Sequence, residues 1–132
     1  MLVIFNGIMV TYVEHLKNIL NHILDSYQIL NEIEDKPGDL SKIEKEMLKI
    51  NGFIRVVSNK IDTDKIPTSD FKILKIKFSR YLENYSFEKE IKTMASLYSN
   101  DMSRVKNMRL KILEALKNNY MMDDTKELMV NL

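Results

Sequence analysis

The chain has 132 residues, 45% hydrophobic and 30% charged, with a formal net charge of +1. That is room for one folded domain, residues 1–132, and it excludes a disordered chain. Cysteine is absent, which excludes a disulfide framework, a thiolate nucleophile and zinc-thiolate or iron–sulfur centres.

The opening runs Leu2-Val3-Ile4-Phe5 and Ile8-Met9-Val10 are apolar, but no basic residue precedes them and no small-residue cleavage pattern follows. They are far shorter than the roughly 18 apolar residues of a membrane span. The expectation is a leader that docks on the domain, with no membrane partner.

A first helix is expected over 8–34. Met9, Val13, Leu16, Leu20, Ile23, Tyr27 and Leu30 follow one another at steps of four and three, which keeps them on one side of an α-helix. Ile19, Leu24 and Ile29 widen that stripe beyond a two-stranded seam, so more than one helix should pack on it. Asp35-Lys36-Pro37-Gly38-Asp39 breaks the chain. Asp39 or Ser41 is expected to cap the second helix, and Ser41-Lys42-Ile43-Glu44 has the pattern of a capping box.

The second helix is expected over 40–62, with Leu40, Ile43, Met47, Ile50, Ile54, Val57 and Ile61 in register. Asn51-Gly52 reads locally as a turn, yet the stripe runs through it, so the helix is taken as continuous. Pro67 disfavours a helical Ile66. A third helix is then expected over 69–85 on Phe71, Leu74, Phe78, Leu82 and Tyr85, capped by Thr68, Ser69 or Asp70. A fourth, over 87–118, follows Phe87, Ile91, Met94, Tyr98, Met102, Val105, Ile112 and Leu116. A strict heptad would place Asp101 on its seam, and the step to Met102 amounts to a stutter. Asp123-Asp124 is the expected cap of a short terminal helix or tail on Leu128, Met129 and Leu132. The fold class is all-α, a bundle of four main helices, and Leu20, Ile23, Ile50, Ile54, Leu74 and Phe78 are its expected core.

No short motif demands a chemistry. G-x-G-x-x-G, Walker A, G-x-S-x-G and H-E-x-x-H patterns are absent from the sequence. His15 and His22 stand seven apart, about 10.5 Å along a helix, whereas paired zinc ligands usually stand three to five apart. Glu32, Glu34, Asp35 and Asp39 lack the alternating ligand spacing of a calcium loop. No enzyme, metal or cofactor is expected.

Charge is divided unevenly: residues 1–70 carry 8 Lys/Arg and 11 Asp/Glu, residues 71–132 carry 12 and 8. Lys72, Lys75, Lys77 and Arg80, then Arg104, Lys106, Arg109 and Lys111, with Tyr81, Tyr85 and Tyr120 nearby, are residues that contact phosphates and stack on bases. For nucleic-acid contact, Lys72, Lys75, Arg80, Arg104 and Arg109 would have to converge on one surface. A solvated helix face is the alternative. Met121 and Met122, with Ile19, Leu24 and Ile29, are the candidate protein-partner contacts.

Ile66-Pro67-Thr68 before Phe71, then Leu97-Tyr98, Arg104-Val105 and Met108-Arg109, resemble short stretches in the helical part of GINS replication subunits. They cover under half the chain, and the strand-rich domain typical of that family has no counterpart in the sequence. The expected function is a non-catalytic, cytoplasmic interaction or assembly protein, either a homo-oligomer or a subunit of a larger complex. The alternative is a helical subunit that contacts nucleic acid through residues 72–117.

Overall fold

The computed structural model describes residues 2–5, 8–66 and 68–132, with side chains from residue 11 onward apart from residue 67. Among the described residues, a two-stranded antiparallel sheet precedes six α-helices. Strand β1 (Leu2–Phe5) pairs antiparallel with β2 (Ile8–Thr11), Leu2 opposite Thr11 and Phe5 opposite Ile8. These runs are rich in β-branched and aromatic residues, which suit a strand. The first helix therefore starts four residues later than expected, and Met9 lies off its seam. Whether the leader's side chains dock on the bundle lies outside the described residues.

Helix α1 (Tyr12–Glu32) is started by Thr11, whose hydroxyl accepts from the Glu14 amide at 3.1 Å. Helix α2 (Asp39–Lys60) follows Gly38, which adopts φ +90°; only glycine takes that left-handed geometry without a steric cost. The expected capping box is not formed, because Ser41 and Glu44 lie inside the helix. Asp39 Oδ2 instead accepts from the Lys36 amide at 2.9 Å. That bond is the main reason the Asp39 carboxyl is held below its usual range, with Lys42 adding to it. Helix α2 runs unbroken through Asn51-Gly52, as the stripe predicts.

Ile66 is extended (φ −111°, ψ 119°), the geometry a residue before proline prefers; Pro67 itself is outside the described residues. Thr68 caps α3 (Ser69–Asn84), accepting from the Asp70 amide at 3.3 Å. The expected helix over 87–118 is two helices, α4 (Phe87–Leu97) and α5 (Met102–Lys117). Asp101 is not on a seam. It is the cap of α5, accepting from the Arg104 amide at 3.2 Å. A carboxylate cannot be buried unpaired on an apolar seam, and breaking the helix moves it to solvent. Asn119 and Tyr120 both take positive φ, turning the chain into α6 (Met121–Asn131). Asp123 and Asp124 fall in its first turn rather than at its cap.

The α1/α2 pair is antiparallel, with His22 stacked on Phe53 at 5.0 Å between ring centres. Helix α3 returns along α2, and α6 packs on α1 and α3. Helix α4 lies on α2, and α5 contacts α1, α2, α4 and α6. Leu20, Ile23, Ile50, Ile54, Leu74 and Phe78 are all buried, as expected. All seven stripe residues of α2 from Leu40 to Ile61 are buried too. Among the described residues, no helix is long and apolar enough to cross a membrane.

Two stability outcomes follow from the packing. Ile54→Ala should cost about 2–5 kcal/mol in urea unfolding, because the side chain is fully buried. A loss below about 0.5 kcal/mol would contradict the burial of Ile54 in the core. Gly52→Ala should stabilise by about 0.5–1 kcal/mol, since a Cβ there meets nothing within 4 Å and the helix is continuous.

Candidate functional site

The cations singled out from the sequence are dispersed by the fold, and most of them are engaged within the chain. Arg109 turns inward from α5. Its Nε and Nη2 donate to the two carboxylate oxygens of Asp35, both at 2.8 Å, and Nη1 donates to the Leu30 carbonyl at 3.1 Å. Both side chains are close to nine-tenths buried, and the carboxylate beside it pushes the guanidinium further up. Lys77 reaches Asp124 and donates to the Asn119 carbonyl at 2.6 Å. Arg104 pairs with Asp101 at 3.2 Å and lies over the Tyr98 ring, 3.9 Å from its centre. Lys111 meets Glu90 at 3.0 Å. Lys75 donates to the Ile61 carbonyl at 2.7 Å. Lys72, Arg80 and Lys106 are exposed.

The five residues required for a shared phosphate-binding surface stand at two ends of the molecule. The link that holds Asp101 adjoins the start of α2, where Ser99 and Asn100 share a depression with Gly38 and Leu40. Lys72 and Lys75 stand at the other end of α2, beside Thr63. The 22 residues of α2 separate those ends by about 33 Å. The convergence required of Lys72, Lys75, Arg80, Arg104 and Arg109 does not occur, and Arg109 faces into the protein.

Tyr81 is buried as well. Its hydroxyl donates to Asn51 Oδ1 at 2.7 Å, and the Asn51 amide in turn approaches Met47 Sδ at 3.2 Å and Glu88 Oε1 at 3.5 Å. Burial, reinforced by Glu88, pushes the Tyr81 hydroxyl well above its ordinary value. Glu88 also holds Arg55. This chain of polar contacts joins α2, α3 and α4. Tyr85 stacks on Phe87 at 5.0 Å, and Tyr120 is exposed.

The acidic residues at the first turn are likewise answered by neighbours: Asp35 by Arg109, Glu34 by Lys36 at 2.7 Å, and Asp39 by Lys42 at 3.5 Å. His15 is half-buried, and burial pushes its imidazole down. Among the described residues, no three His, Cys, Asp or Glu side chains are placed to hold a metal ion.

The candidate partner residues are mostly interior. Ile19, Met121 and Met122 are buried, and Leu24 is half-buried against the core. Only Ile29 is exposed. The wide stripe of α1 is covered by α2, α5 and α6 of the same chain, and α6 carries Met121 and Met122 inward. The sequence reading missed a different apolar pair, Ile73 and Ile76, which are 53% and 47% exposed on the outer face of α3. Their i, i+3 spacing opposite Phe71, Leu74 and Phe78 was the available signal. Comparison with known proteins finds no matching family model, no matching curated protein and no matching solved structure.

The Arg109–Asp35 pair should be costly to break from one side. Arg109→Met leaves a buried carboxylate and the Leu30 carbonyl without their partner, and should lower unfolding stability by about 3–5 kcal/mol. The double variant Asp35→Asn/Arg109→Met should recover part of that loss in a double-mutant cycle.

Proposed function

We propose that this protein is a non-catalytic interaction protein, self-associating or a subunit of a larger assembly, working inside the cell. The observation that carries the reading is the outer face of α3. Two β-branched apolar side chains stand one helical turn apart in solvent there, with charged side chains on either flank. Isolated surface apolar residues need no explanation, but adjacent ones rimmed by charge are characteristic of contact surfaces. The cytoplasmic assignment rests on the cysteine-free sequence.

The alternative, contact with nucleic acid, retains one observation in its favour: Lys72, Lys75 and Arg80 line a common groove with Thr63 and Ser79. Hydroxyls and cations together are phosphate-binding chemistry. The loss of Arg104 and Arg109 from that surface, and the pairing of Lys77 and Lys111, weigh against it.

Light scattering on the full chain, with rising protein concentration, should give a mass above the 15.6 kDa of one copy. Failing that, affinity capture from the source cell should recover a partner that Ile73→Ser/Ile76→Ser loses. Failure of both would refute the interaction reading. Adding a short duplex at low salt should leave elution unchanged. A complex that forms at about 50 mM salt and dissolves by about 200 mM would favour the nucleic-acid alternative.

A further inference from the structure

The outer face of α3 has two differently charged sides. Ile73 and Ile76 form a ridge along the helix. On one flank, toward the end of α2, lies a groove of about 480 Å³ that holds Lys72, Lys75 and Arg80 with Glu83. On the other, toward α6, lies a groove of about 270 Å³ that holds Asp70, Asp124 and Glu127 with Lys77. Three cations against one carboxylate leave +2 on the first flank. Three carboxylates against one cation leave −2 on the second.

We infer that a second copy of this chain docks on this face, α3 against α3, with each copy's basic groove set over its partner's acidic groove. The inference rests on the self-associating form of the function proposed above. A surface with an apolar ridge between opposite charges is complementary to itself under a two-fold axis, as closed dimers require. The charges also choose the axis. A two-fold lying across α3 would run the helices antiparallel and place basic groove on basic groove. A two-fold lying along α3 runs them near-parallel and exchanges the flanks, so opposite charges meet while Ile73 and Ile76 pack on their copies. Only the second arrangement buries the ridge without like-charge repulsion.

The face is small for an interface. The 16 residues of α3 are about 24 Å long. With one groove width on each side, that is roughly 500 Å² per copy, below the roughly 800 Å² of a standard interface. An interface of that size falls among weak, transient contacts, so dissociation is expected in roughly the micromolar to submillimolar range, and salt weakens it because its charged rims are solvent-exposed.

Sedimentation equilibrium on the full chain, from about 1 to 500 µM, covers that range. The mass should rise from 15.6 kDa toward twice that value, with the midpoint moving to higher concentration in about 0.5 M salt. Lys72→Glu/Arg80→Glu makes both flanks acidic, and Asp70→Lys/Glu127→Lys makes both basic. Each variant alone should dimerise at least about tenfold more weakly, since like charges then face each other. Mixed in equal amounts, the two should restore a heterodimer. All four positions are exposed, and circular dichroism with thermal melts confirms that each variant is folded. Ile73→Ser/Ile76→Ser should dissociate the dimer at any salt.

A wild-type chain that stays monomeric at the top concentration overturns the inference and leaves the proposed function only as a subunit of a mixed complex. A dimer indifferent to both charge reversals also overturns it, while leaving self-association standing on another surface. Variants that each weaken the dimer but do not recombine exclude the near-parallel arrangement.

Discussion

Helices α1, α3, α4 and α5 all bury part of their surface on α2, so the straightness and register of that one helix govern where four others sit. The demand is sharpest at Asn51-Gly52, in the middle of the helix, where glycine costs about 1 kcal/mol of helix propensity. Tertiary packing compensates. Ile50 and Ile54, on either side of the pair, are fully buried, and two fully buried aliphatic side chains contribute roughly 3–6 kcal/mol between them. A kink here would withdraw Leu40–Met47 or Ile54–Ile61 from its partners, and packing energy outweighs the local preference.

Apolar packing is not directional, and a helix could slide along α2 with modest loss. The polar contacts remove that freedom. Tyr81 reaches Asn51 from α3, and Glu88 reaches Arg55 and Asn51 from α4. The Tyr81–Asn51 bond is buried and is satisfied in one register only; in any other it leaves a buried donor or acceptor without a partner, at about 1–3 kcal/mol, while the Arg55–Glu88 pair marks the same register from the surface. Arg109 does the same for α5. By bonding the Leu30 carbonyl it also supplies one of the partners that the last turn of α1 lacks within the helix. Much of the basic character of the second half of the chain is therefore structural, spent on locking helices together before it can act on a ligand.

The heptads made the helical seams legible. Their steps identified most of the buried apolar residues of α1, α2 and α3, though not Tyr81, and carried α2 through a dipeptide that reads as a turn. Three features were harder to see. Asn6-Gly7 between two apolar runs is a two-residue hairpin signal, but residues 8–11 also extend the helical rhythm, and the strand won. Asp101 is polar at a seam position, which is equally a stutter or a helix cap, and a side chain that bonds its own backbone two or three residues on favours the cap. Arg109 carries no mark in sequence of an inward course, because its partner Asp35 lies 74 residues away. Periodicity encodes which face is buried. It does not encode which long side chains cross between helices, and the candidate site depended on that.

The same limit hid the outer face of α3. Isoleucine is a poorer helix former than the leucine, lysine or glutamate that suits a solvated position, because its branched Cβ loses rotamer freedom against the preceding turn. At Ile73 and Ile76 the chain accepts that cost twice within one turn, and the side chains gain little burial within the monomer in return. The flanking charges sharpen the contrast. Elsewhere some cations and carboxylates meet directly across the surface, as Lys111 does with Glu90 and Lys36 with Glu34. Beside the isoleucines they are sorted into a basic flank and an acidic one, bridged by the Lys77–Asp124 pair on the acidic side. Sorting leaves each flank with net charge that the monomer does not neutralise, and the apolar ridge between them remains uncovered. A second face of reversed polarity removes both deficits in a single contact, and the chain itself carries such a face.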